Sequence, residues 1–90
     1  MAIGNIQLGA FKNVTASGNV KTTQGGLLGF YVNSTTAGTI QFYDDPATGT
    51  GTPITGLITP AIGWNFLPVA FATGLNAVVG GTLNATISYV

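Results

Sequence analysis

Gly25 to Asp45, GGLLGFYVNSTTAGTIQFYDD, is the stretch on which the fold turns. Successive side chains of a strand point to opposite faces, so Leu28, Phe30 and Val32 share one face while Leu27, Tyr31 and Asn33 share the other. The first of these faces is wholly apolar. Ser34 to Gly38 then interrupts with small polar residues and a glycine, a composition that predicts a hairpin loop. A second arm, Thr39 to Tyr43, sets Ile40 and Phe42 inward and Thr39, Gln41 and Tyr43 outward before Asp44-Asp45-Pro46 ends it.

Alternation recurs on both sides of this hairpin. Ile6, Leu8 and Ala10 alternate with Gln7 and Gly9 and lead into Phe11, which predicts an N-terminal strand. A second short strand is expected over Val20 to Gln24. Downstream, PATGTGTP from Pro46 to Pro53 predicts a surface loop, followed by short strands at Ile54–Thr59, Trp64–Phe66, Val69–Phe71 and Leu75–Val79. Leu67-Pro68 is read as a break, since proline donates nothing to a ladder. Gly80-Gly81 suits a tight hairpin turn. The last segment, Thr82 to Val90, places Leu83, Ala85, Ile87 and Tyr89 on one face. No stretch of about ten residues has helix formers free of Gly, Pro or β-branched interruption. The predicted fold is all-β: one small antiparallel β-sandwich domain over residues 1–90, jelly-roll-like, with little or no helix. Residues 1–20 are read as a possible anchoring or exchanged N-terminal strand.

Composition narrows the chemistry. The 90 residues are 46% hydrophobic and contain neither cysteine nor histidine. Disulfides, thiolate metal sites and the commonest general base are therefore excluded. Lys12, Lys21, Asp44 and Asp45 are the only charged side chains, giving a net charge of zero. About a quarter of an ordinary domain is charged, so the surface of this one is built from Thr, Asn, Gly and Gln and favours association over repulsion. Two lysines do not neutralise the phosphates that nucleic acid presents. The apolar runs are too short for a spanning helix, and MAIGNIQLGAF shows no basic segment ahead of an apolar one. Nucleic acid and membrane are thus not expected as partners.

The candidate functional residues are few. Asp44 and Asp45 are the only side-chain carboxylates, and neighbours on a strand point to opposite faces, so they do not form a catalytic pair facing one bond. They are read instead as a turn whose short carboxylates bind backbone amides. An enzyme is not expected, and neither catalytic residues nor a cofactor or metal are assigned. Trp64, the single tryptophan, has two readings: a stacking platform for a sugar, or a large ring buried in the core or a subunit contact. The second is favoured. Tyr31, Tyr43, Trp64 and Phe66 are the candidates for an oligomer interface. Three sequon matches, at Asn13, Asn33 and Asn84, are expected by chance in an Asn- and Thr-rich chain.

The run GFYVNSTTAGTIQFYD from Gly29, with LPVAFATGLNAVVGGTLNATISYV from Leu67 to the end, resembles a group of small tailed-bacteriophage virion proteins. The likeness covers roughly Lys21 to Val90. It implies a head decoration, or cement, protein: a structural β-sandwich that forms a homotrimer on the outer capsid surface and clamps neighbouring major capsid subunits. The alternative it implies is a distal trimeric module of a tail fibre or tailspike that binds host surface glycans. Because the N-terminal residues lie outside the likeness, Ile3, Ile6, Leu8 and Phe11 are the candidates for contact with the capsid or a neighbouring subunit.

Overall fold

Leu27, Phe30 and Val32 can face one core together only if an extra residue is inserted between the first two, because a spacing of three reverses the face of a regular strand. The computed structural model, which describes residues 9–47, 49 and 51–90, contains that insertion. The pairing of the strand shifts between Leu27 and Gly29, and Leu27, Phe30 and Val32 are all buried. Leu28, expected inward, is the extra residue and is only half-buried. The same device recurs between Val32 and Ser34 and between Thr36 and Thr39; these two reversals cancel, and Ile40 and Phe42 face inward as expected and are fully buried.

The consequence is a correction to the expected hairpin. Residues 34–38 do not turn the chain back; they lie within one strand, β3 (Gly25–Asp44), that runs through both expected arms. Its partner along almost its whole length is β6 (Leu75–Tyr89), from Leu27 opposite Tyr89 to Tyr43 opposite Asn76. Gly80-Gly81, expected as a hairpin turn, likewise lies inside β6 opposite the Thr36–Thr39 irregularity. The backbone does depart from a regular strand at both places, with Ala37 at φ 52° and Gly81 at φ 65°. What it produces is a corner in a two-stranded ribbon.

Four shorter strands flank the ribbon in a single antiparallel sheet. On the outer side of β6 lie β1 (Ala10–Val14) and β2 (Gly18–Lys21), pairing with its C-terminal and N-terminal halves. On the outer side of β3 lie β5 (Gly63–Phe71) along its first half and the two-residue β4 (Thr52–Pro53) at its end. The expected strand over Ile54–Thr59 reduces to one bridge between Ile58 and Ile40. The expected break at Leu67-Pro68 is absorbed as a shift of register inside β5, whose outer edge is unpaired among the described residues and tolerates a proline.

A 20-residue strand laid straight would be about 65 Å long, yet the longest dimension of the molecule is 43 Å. The ribbon is therefore bent on itself, and its two halves share one core. Phe30 of the first half meets Phe42 of the second, ring centroids 5.3 Å apart. Leu83, Ala85 and Ile87 complete the first half, as the alternation of the last strand predicted, and Leu75 and Ala77 the second. This is an all-β fold compatible with the sandwich expected from the sequence. Ser17 joins the two flanking strands of β6: its Oγ accepts from the Val79 amide at 2.8 Å and donates to the Val79 carbonyl at 3.3 Å.

The two aspartates fasten the open end of the folded ribbon. Asp44, at the end of β3, accepts from the amides of Ala72 and Thr73 and from the Thr73 hydroxyl, each at 2.8 Å, and from Gly74 at 3.4 Å. Those donors form the β5–β6 turn. The Ala72 and Thr73 amides, first among these, hold the Asp44 carboxyl down at about 2 from its ordinary 3.8. Buried Asp45 turns the other way and accepts from Ala47 at 2.7 Å and Gly51 at 2.8 Å, shaping the loop that follows β3.

Candidate association face

The register that builds the core also fixes what lies outside it. In an antiparallel sheet, residues directly opposite share a face. Phe11, Ser88, Gly29 and Phe66 are successive partners across β1, β6, β3 and β5. Asn13, Thr86, Tyr31 and Trp64 form the adjacent row. Both rows lie on the outer face of the first half of the ribbon.

Four of these eight residues are aromatic, and all four stand in solvent: Phe11 is 76% exposed, Phe66 72%, Trp64 50% and Tyr31 47%. The second half of the ribbon differs, because its own loop covers it. Gln41 donates to the Thr55 carbonyl at 2.9 Å and Asn76, only 3% exposed, to the Ala47 carbonyl at 3.2 Å. Tyr43 belongs to this covered half and is half-buried. It is thereby separated from Tyr31, with which the sequence grouped it.

Trp64 owes its pose to Gly29. A Cβ at Gly29 would lie 2.7 Å from Cζ2 and 2.9 Å from Cη2 of the indole, closer than carbon atoms approach. The benzo edge of the ring thus rests on the bare backbone of β3, and half the side chain remains exposed. The ring is not buried in the core, one of the two placements that the favoured expectation allowed, the other being a subunit contact: Trp64 alternates outward with Phe66 while Asn65 and Leu67 turn inward.

Between the rings lies a polar cluster. The Asn13 amide donates to Asn84 Oδ1 at 2.8 Å, to Thr86 Oγ1 at 3.2 Å and to the Ala85 carbonyl at 3.2 Å. From the opposite side, the Asn33 amide donates to the same Asn84 Oδ1 at 3.1 Å and the same Thr86 Oγ1 at 3.3 Å. The three sequon asparagines, dispersed in sequence, are thus one network. Sequence reasoning missed it because only the strand register and the extra residue at Asn33 bring them together.

The described charges lie elsewhere. Lys12 donates to the Asn19 carbonyl at 3.0 Å and Lys21 to the Val90 main-chain oxygen at 3.1 Å, while both aspartates serve the loops. No cavity opens among the described residues. Of the four N-terminal contact candidates only Phe11 is described; Ile3, Ile6 and Leu8 lie outside the described residues. Two apolar residues that the sequence did not single out, Leu57 and Ile62 in the β4–β5 connection, are 67% and 65% exposed. No family model, curated protein or solved structure matches the chain.

Proposed function

We propose that this chain is a non-catalytic assembly module, a decoration protein that forms a homotrimer on the outer surface of a phage head and braces its major capsid subunits. One observation carries the reading: large apolar side chains stand exposed on separate elements of a fold whose described residues include only four charges. Phe11 projects from β1, whose outer edge is unpaired among the described residues, and Leu57 and Ile62 project from the β4–β5 connection. Exposed apolar groups of this kind mark contacts with other proteins. Separate contacts suit a subunit that meets copies of itself on one side and a shell on another, where many weak contacts add through multivalency.

Light scattering on the purified protein tests the self-association. A species of three times the 9.1 kDa chain mass is expected, with Phe11→Ser shifting it toward monomer while leaving the melting curve close to wild type. A monomer at every concentration overturns the trimer. A second reading, the glycan-binding tail module, is favoured by the exposed Trp64 ring seated on Gly29.

A further inference from the structure

The open face carries aromatic rings and, between them, a cluster of side-chain amides. The rings together offer roughly 500 Å² of exposed surface at about 200 Å² per ring. The rings are also split. Phe11 stands at one edge of the four strands and Phe66 at the other, with Ser88 and Gly29 between them, a separation of about 14 Å at three strand spacings.

The cluster in the middle has unspent hydrogen-bonding capacity. Asn13 and Asn33 use their amide nitrogens on Asn84 Oδ1 and Thr86 Oγ1. Asn13 Oδ1, Asn33 Oδ1 and Asn84 Nδ2 have no partner among the described residues. An apolar surface laid over them would strand two acceptors and a donor. A polyol satisfies both kinds, because each hydroxyl donates and accepts.

We infer that Trp64 and Tyr31, with the Asn13–Asn33–Asn84–Thr86 cluster beside them, form a docking platform for an extended, neutral glycan chain. Trp64 is half exposed, and the open part of its ring is available to the C–H face of a sugar. Tyr31 lies next to it in the same row, and Thr86 one strand further on, about 10 Å from Trp64. A short oligosaccharide laid across the strands reaches both the ring and the amides. The lack of described charge on the face selects a neutral chain over an acidic one, and the lack of a pocket among the described residues selects the side of a chain over a pocketed terminal sugar. The inference deepens the tail-module reading but rests only on this face, whatever the oligomeric state and place of the module on a virion.

Trp64 is the only tryptophan, so its fluorescence reports on the platform alone. The purified protein is titrated with cellohexaose, chitohexaose and mannohexaose, with oligogalacturonate as the acidic control, while light scattering on the same samples records the oligomer. A saturable change in Trp64 emission with at least one neutral hexasaccharide, and none with the acidic one, is expected. By calorimetry, Trp64→Ala and Asn33→Ala should each weaken binding tenfold or more, with Trp64→Phe retaining most of it and all three melting as cooperatively as wild type. No response to any neutral probe at millimolar concentration overturns the inference. So does binding that survives Trp64→Ala, or an emission change that follows protein concentration instead of sugar, which would assign the face to a second copy. Failure here with a trimer still present by light scattering leaves the assembly reading standing, and the reverse holds equally.

Discussion

Gly38→Ala is the substitution that most sharply separates a continuous folded ribbon from two independent hairpins. At a solvent-facing hairpin loop an added methyl would meet little. In the ribbon Gly38 is buried at the corner, with its amide bonded to Thr35 Oγ1 at 3.1 Å. A Cβ there would sit 2.6 Å from the Thr82 carbonyl oxygen, 2.7 Å from Thr35 Oγ1 and 2.9 Å from Leu83 Cβ. Two of these three neighbours belong to β6, and one is backbone, so relief requires the strands to part. Overpacking of this sort costs about 1–3 kcal/mol, partly offset by about 0.4–1 kcal/mol from the stiffer unfolded chain. The net is a loss of roughly 1–2 kcal/mol, or a fall in melting temperature of about 5–15 °C for a domain of this size. Circular-dichroism melting and urea denaturation measure it, with Gly18→Ala as control because nothing lies within 4 Å of a Cβ at that position. A Gly38→Ala protein as stable as wild type, or more so, would refute the corner.

Three further perturbations probe other parts of the account. Phe42→Ala removes a fully buried ring and its contact with Phe30, and is expected to cost about 3–5 kcal/mol in denaturant; a loss under 1 kcal/mol would contradict a shared core. Asp44 has a folded-state pKa below its unfolded value, so the stability it confers is present above about pH 4 and is lost as pH falls toward 2. Asp44→Asn should lower the melting temperature at neutral pH and flatten its decline over that acid window, and an unchanged acid profile would rule out the clasp. Phe11→Ser should shift the trimer toward monomer with little change in melting.

How far the fold was legible depended on whether parity or register was in question. The alternation of Leu83, Ala85, Ile87 and Tyr89 was readable because no extra residue interrupts it. In β3 three register shifts each reverse the phase inferred from counting residues; Phe30, Val32, Ile40 and Phe42 face inward as counted because the last two shifts cancel, and only Leu27 and Leu28 exchange places. Leu27 and Leu28 are equally apolar, and only the packed core chooses between them. The small polar residues at 34–38 and the Gly80-Gly81 pair signal unusual backbone truthfully. A corner and a turn use the same residues, however, and the difference lies in what each strand pairs with 33 to 62 residues away.

The outer face follows the same division. That Trp64 and Phe66 alternate is local information; that they stand in rows with Tyr31 and Phe11 is not. The aspartates were the opposite case, because short carboxylates beside a proline at a strand end bind local amides in most settings. The turn reading holds for Asp45, which binds the Ala47 and Gly51 amides, but not for Asp44, which binds amides 28 to 30 residues downstream.

The most direct test of the proposed role is the number of copies of this chain on purified phage particles, measured by gel densitometry against the major capsid protein. The decoration reading predicts about one copy per capsid subunit, released in proportion when the shell is dissociated. A handful of copies per particle, or none, would contradict it.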